Sequence, residues 1–327
     1  MPPEDAVPQD AMPGYAPTLP VNVVRELGGG VGPLGSGRAS ALAFAPDGRL
    51  LALGGERATV DLWDAYEDRA PAELSGHRRS LRGSVVGALA FSPDGRLLAS
   101  GGYDKTVRLW NPGTGECVNV LTGFSGAVLR LAFSPALPLL AAADERSVRL
   151  FDLNSGAVRE VPPFEGGVSS LAFSATGTLL AVGPGNRARR GAHPVRLIDP
   201  AGGGTVRTLG GERDFVARSL AFSPDGRLLA AGLRDKHVQL WDTQTWQPAG
   251  ILRVPSYSAY GLAFSGRGVL GAAAGDRVCL WDPAAGTDPV SVKVPYVKNC
   301  SVTTLAFSPD GRLMATCRSG ATVRIYG

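Results

Sequence analysis

Histidine, cysteine and lysine are all scarce in this 327-residue chain: three His, four Cys and, among 33 basic residues, only four Lys, at 105, 236, 293 and 298. The cysteines (Cys117, Cys279, Cys300, Cys317) are scattered, with no Cys-x-x-Cys pair and no His-rich spacing beside them, so no metal-ligand pattern can be assembled. A chain of this length can bury roughly three quarters of the surface its unfolded form exposes and needs no disulfide framework. The thiols therefore read as reduced residues of a cytoplasmic protein, with only Cys300 and Cys317 as candidates to pair. No apolar run approaches the ~20 residues that cross a bilayer. The N-terminus begins Met-Pro-Pro-Glu-Asp, with acids and prolines where a secretory signal would carry basic and then apolar residues. A Gly-rich phosphate loop and a nucleophile elbow are also missing, and no cofactor is expected.

What the chain has instead is one phrase, repeated. Leu-Ala-Phe-Ser-Pro-Asp-Gly-Arg-Leu-Leu-Ala stands at 89–99 and 220–230, and again at 305–315 with Met314 for the second Leu. Looser copies place the central aromatic at Phe44, Phe133, Phe173 and Phe264 besides Phe91, Phe222 and Phe307, at intervals of 40 to 49 residues. Such a period marks one supersecondary unit per copy and a single repeat-built domain.

The copy beginning at Val86 shows what that unit is. Val86 to Ser92 reads as a strand, and Pro93-Asp94-Gly95 as a turn in which Pro presets φ, Asp bonds nearby backbone and Gly accepts φ > 0. Arg96 to Ser100 returns, Gly101 to Lys105 turns again, and strands follow at Thr106 to Trp110 and Glu116 to Leu121. Each repeat is then a four-stranded antiparallel meander. Its first two strands are nearly continuously apolar, so both faces must be covered. Sheets standing face to face around an axis satisfy that, and the recurrent Ala and Gly fit where neighbouring sheets crowd.

Leu-Ala-Ser-Gly-Gly-x-Asp-x-Thr-Val-Arg-Leu-Trp, with Gly76-His77 ahead of it, resembles the WD-repeat β-propellers, and the resemblance runs over residues 39–327. Third strands ending at Trp63-Asp64, Trp110-Asn111, Phe151-Asp152, Ile198-Asp199, Trp241-Asp242, Trp281-Asp282 and Tyr326-Gly327 count seven copies. The expected fold is all-β: a single seven-bladed propeller of four-stranded antiparallel blades over residues 19–327, preceded by a disordered Pro-rich leader at 1–18. The last copy stops at its third strand, so the segment around 21–27, Val-Asn-Val-Val-Arg-Glu-Leu, is expected to close its blade, as this family usually does. The Arg-heavy, Ala- and Gly-rich text has the style of bacterial members.

The resemblance assigns His77, Ser100, Asp104 and Trp110 to a structural hydrogen-bonded tetrad. Ser, His and Asp also suggest a hydrolase, but a Trp as fourth member points to a network that satisfies buried polar groups. His77 stands nine positions before Val86, farther than in other copies, which leaves its engagement open. Elsewhere the set is lost: Phe124 and Phe164 replace His, Ala231 replaces Ser, and Arg57 stands in the place of Asp. Those blades are expected to rely on apolar packing. A channel-sited enzyme such as a metal-dependent lactonase would need acids or His just before each Leu-Ala-Phe. Those positions hold Ala41, Ala88, Arg130, Ser170, Ser219, Gly261 and Thr304, so the chain is expected to be no enzyme and to hold no metal.

Function on a repeat scaffold sits in loops that depart from the repeat. Two insertions do so, residues 77–84 with Arg78, Arg79 and Arg82, and residues 183–194 with Arg187, Arg189 and Arg190. Strand alternation puts both on one end of the ring, where basic residues exceed acidic ones by roughly twice the chain's net +4. Tyr103, Tyr257 and Tyr260 are expected on the same end, and Arg with Tyr is what protein interfaces favour. A high-GC coding bias is the other explanation of the arginines. The leading expectation is a monomeric, non-catalytic interaction scaffold without a membrane association, holding an acidic protein or peptide; nucleic-acid phosphate binding at the same end is the alternative.

Overall fold

Three residues decide the commonest turn. In Ser92-Pro93-Asp94-Gly95-Arg96 the Ser92 hydroxyl donates to Asp94 Oδ1 at 2.6 Å, the Arg96 amide donates to the same oxygen at 3.1 Å, and Gly95 takes φ 70°. The same arrangement recurs at Ser223/Asp225 with Gly226 at φ 71° and at Ser308/Asp310 with Gly311 at φ 69°. A side-chain-bonded turn with a left-handed glycine reverses the chain tightly, so each pair of apolar segments becomes a hairpin.

In a computed structural model of the chain, residues 22–27, 39–79, 85–164, 167–185, 194–210, 217–254, 259–283, 290–294, 302–318 and 323–327 are described. They form 28 strands in seven four-stranded antiparallel sheets, with no helix among them. Six sheets are sequential meanders: residues 39–75, 86–121, 130–161, 168–209, 217–253 and 261–293, here blades 1 to 6. In blade 2 the strands are Val86–Phe91, Leu98–Gly102, Val107–Trp110 and Cys117–Leu121.

Blade 7 takes three strands from the C-terminus, Val302–Phe307, Met314–Arg318 and Val323–Tyr326, and its fourth from the N-terminal strand Val23–Leu27. Val23 faces Tyr326 and Leu27 faces Val323, and the Gly327 amide donates to the Asn22 carbonyl at 2.9 Å. Leu27 is 1% exposed and packs in one cluster with Leu51 and Trp63 of blade 1 and Ile325 of blade 7. The innermost strands touch in cyclic order and return from blade 7 to blade 1, so the molecule is a closed seven-bladed propeller. The leader at 1–18 lies outside the described residues.

The core is correspondingly divided into seven apolar clusters, each shared by two adjacent blades. Crowding between blades accounts for the small residues. A Cβ on Gly54 would lie 2.9 Å from the Val86 carbonyl oxygen of the next blade, and one on Gly101 would lie 2.8 Å from that of Val128. Backbone atoms cannot yield as a side-chain tip can, so these positions admit nothing larger.

Candidate functional site

The links between blades and the turns between second and third strands emerge together, and backbone hydrogen bonds tie them. Val128 donates to Gly102 at 3.0 Å, Val254 to Lys236 at 2.9 Å and Gly185 to Gly167 at 2.8 Å. Both kinds of loop therefore form one end of the ring.

The best-ordered chemistry there is in blade 2. Trp110 Nε1 donates to Ser100 Oγ at 2.8 Å, His77 Nε2 lies 2.7 Å from the same oxygen, and His77 Nδ1 lies 3.0 Å from both Asp104 oxygens. With a proton on Nδ1, His77 donates to Asp104 and accepts from Ser100, so every polar atom in the row has at least one partner. The nine-residue gap to Val86 thus does not prevent His77 from reaching its partners. Asp104 also accepts from the Arg78 amide at 3.0 Å and the Thr106 hydroxyl at 2.9 Å. Burial alone would raise its pKa, but these donors outweigh burial and hold it at about 2. A nucleophile needs an exposed hydroxyl; Ser100 is fully buried beneath the indole, so this Ser-His-Asp row lacks access for a substrate.

Blade 3 keeps half of the arrangement. Asp144 accepts from the Ser125 amide and hydroxyl, the Gly126, Arg146 and Ser147 amides and the Ser147 hydroxyl, at 2.8–3.1 Å. Burial opposes its charge and these donors prevail, again giving a pKa of about 2. Where His is replaced, an arginine covers the ring: Arg149 lies 5.4 Å from the centre of Phe124, and Arg196 lies 4.4 Å from that of Phe164. Apolar packing is therefore supplemented in blades 3 and 4 by cation–π contacts, from the Arg of the third-strand Val-Arg-Leu triplet.

On the loop end the carboxylates of Asp104 and Asp144 are turned to internal amides, while Arg78, Arg79, Lys105, Arg146 and Lys236 are exposed. Arg78 contributes its amide to Asp104, leaving its side chain outside. Tyr103 is half-buried, its amide donating to Val85 at 3.0 Å. Arg82, Arg187, Arg189, Arg190 and Tyr257 lie outside the described residues, as does Cys300. Tyr260 is half-buried at the wall of the central channel, with the Arg218 guanidinium 5.0 Å from its ring centre.

That channel is a cavity of about 410 Å³ at the loop end of the innermost strands. All seven residues that precede Leu-Ala-Phe line it, and so does the residue before each of them, a set of which the sequence analysis names only Tyr260 as a candidate. The missed set includes Ser40, Ser169, Arg218 and Thr303. In five blades the ladder shifts register at that spot, between 39/41, 86/88, 168/170, 217/219 and 302/304. A bulge re-aims the extra residue, here toward the axis. Strict alternation hides this, and only the repeated offset of two residues before Leu could have signalled it. Among the described residues no Asp or Glu lines the channel, and no group of three His, Cys, Asp or Glu could hold a metal ion.

The model of the WD domain, G-beta repeat, matches residues 70–111, 115–152, 203–242 and 292–327. Relatives include WD repeat-containing protein SL1-17 of Schistosoma mansoni, 30% identical over 168 residues (50% of this chain, 52% of that protein). Protein tipD of Dictyostelium discoideum is 26% identical over 278 residues (82% and 43%), and WD repeat-containing protein VIP3 of Arabidopsis thaliana 33% over 144 (39% and 42%). The matches span about half or less of these relatives' lengths. Four stretches that match the G-beta repeat, relatives described by the same repeat and a closed propeller of four-stranded blades together support a likeness to the WD40 repeat family.

Proposed function

We propose that this protein is a non-catalytic scaffold that holds an acidic protein or peptide surface against the Arg-rich end of its ring. WD40 propellers generally serve as protein-interaction scaffolds, and that coarser role follows from the family. The observation supporting the finer one is the balance of exposed charge at the loop end: Asp104 and Asp144 are spent on internal donors, and the exposed Arg78, Arg79, Lys105, Arg146 and Lys236 outnumber the exposed acids Glu56 and Asp235. The sequence-based expectation of further arginines there, at 187, 189 and 190, falls outside the described residues. We read the chain as a monomeric cytoplasmic propeller, and its arginine bias as the mark of a high-GC, bacterial coding sequence.

Charge reversal tests this reading. Changing Arg78, Arg79, Arg187, Arg189 and Arg190 to Glu should abolish capture of the native chain's protein partners and weaken binding of an acidic polypeptide such as polyglutamate. Equal recovery from both chains overturns it. Binding of a random oligonucleotide at low and high salt separates the alternative, since phosphate contacts lose affinity steeply with salt.

A further inference from the structure

The channel carries a charge that nothing described so far balances. Arg130 of blade 3 and Arg218 of blade 5 both line it, and among the described residues its wall holds no acid. Arg130 donates through Nε to the Ser169 carbonyl of blade 4 and through one terminal nitrogen to its own neighbour's carbonyl, Leu129, at 2.6 Å. Its other terminal nitrogen has no partner among the described residues. Arg130 is half-buried, and burial pushes its guanidinium below the ordinary arginine value with no acid among the described residues lining the channel to oppose the shift.

Arg218 is less satisfied still. Its Nε is out of solvent with no hydrogen-bond partner among the described residues, and its guanidinium lies over the face of Tyr260. The two arginines are linked through blade 4: Arg130 holds the Ser169 carbonyl, and the Ser169 hydroxyl donates to the carbonyl of Ala217, directly before Arg218. They therefore face one space, rimmed also by Ser170, Ser219 and Thr304. Buried charges are normally paired, and a guanidinium fork is built for oxyanions. A planar carboxylate is satisfied by one fork. Two forks arriving from different blades, with the Thr304 hydroxyl beside them, suit an anion with acceptors on several sides. A cavity of about 410 Å³ leaves room for more than the anion itself, since small-molecule sites begin at roughly 300 Å³.

We infer that the loop-end mouth of the central channel binds a small oxyanion of the phosphate class, inorganic phosphate or a phosphomonoester, between Arg130 and Arg218. This site is separate from the exposed arginines of the proposed docking end. Calorimetric titration of the full chain with inorganic phosphate, with glycerol phosphate and with citrate, at ionic strength matched by chloride, tests it. Saturable binding of one phosphate per chain is expected, tighter than citrate; tighter glycerol phosphate than inorganic phosphate would identify the ester as the source. Arg218→Gln, which gives up no hydrogen bond among the described residues, should weaken binding by at least about tenfold. Arg130→Gln loses its bonds to the Ser169 and Leu129 carbonyls and so is paired with Thr304→Glu, which keeps both arginines but adds a carboxylate; both should abolish binding. Arg78→Glu with Arg79→Glu should leave it unchanged. No saturable binding by the native chain, undiminished binding by a folded Arg218→Gln chain, or tighter citrate than phosphate overturns the proposal.

Discussion

Blades 1 and 2 both carry a tryptophan near the end of the third strand, Trp63 and Trp110, in the same register against the second strand, and they hold it by different means. In blade 2 the indole N–H enters a polar row through Ser100 and His77 to Asp104. In blade 1 Leu53 and Arg57 stand at the positions of Ser100 and Asp104, and Trp63 Nε1 is buried without a hydrogen-bond partner among the described residues. The compensation comes from the chain's other end. Arg25 of the N-terminal strand lies 5.9 Å from the Trp63 ring centre, donates to the Asp64 carbonyl at 2.8 Å and pairs with Asp68 at 2.9 Å. One blade is fixed from within and the other by the strand that closes the ring, so the polar network is one solution to a packing requirement and the repeat does not depend on it.

Removing residues 1–28 should have the largest effect. It strips blade 7 of its outer strand, takes Leu27 from the cluster between blades 7 and 1 and frees Trp63 from Arg25. Aggregation or a large fall in melting temperature is expected, because the exposed strand edge is then unpaired. An unchanged melting temperature would remove the N-terminal strand from the closure.

Trp110→Ala should cost about 3–5 kcal/mol in denaturant unfolding. Trp63→Ala should cost less by about 1–3 kcal/mol, since the native N–H there is already unpaired. Equal losses would mean that the tetrad adds nothing beyond the buried indole.

Asp104 of blade 2 and Asp61 of blade 1 should also respond oppositely to acid. Asp104 titrates at about 2 in the folded chain, against 3.8 unfolded, so its contribution is present above pH 4 and fades as the pH falls toward 2. Asp61 of blade 1 sits at the register position of Arg108. Burial raises it to about 6, Arg57 opposing and Glu73 adding to the shift. Its folded form prefers the proton, so stability is highest below pH 4 for this group and declines as the pH rises through 6. Asp61→Asn should flatten the urea midpoint between pH 4 and 6 and stabilise the chain at pH 7 by on the order of 1–3 kcal/mol. A slope unchanged by the substitution would show that Asp61 is not its source.

The smallest effect is a gain. Trp281 of blade 6 has a buried indole N–H with no partner among the described residues, and Ala272 occupies the position of Ser100. Ala272→Ser should offer that N–H an acceptor and stabilise by about 1 kcal/mol, read as a rise of a few degrees in melting temperature. A fall would mean that the interblade space there admits no added atom.

The sequence by itself determined the number of blades, the turns and the ring of residues that precede Leu-Ala-Phe, because these follow from local rules: a fixed period, Ser-Pro-Asp-Gly chemistry and strand alternation. It also pointed to the segment around 21–27 as a blade strand, within which Val23–Leu27 pairs with Val323–Tyr326. Only the tertiary structure decided that His77 spans its long link to reach Asp104, that Arg149 and Arg196 cover the phenylalanines standing in for histidine, and that a bulge turns Arg218 toward the axis beside Arg130. Each of those depends on which blades become neighbours and on a local break in the alternation. A pattern read along one chain records neither, because both arise only when the ring closes.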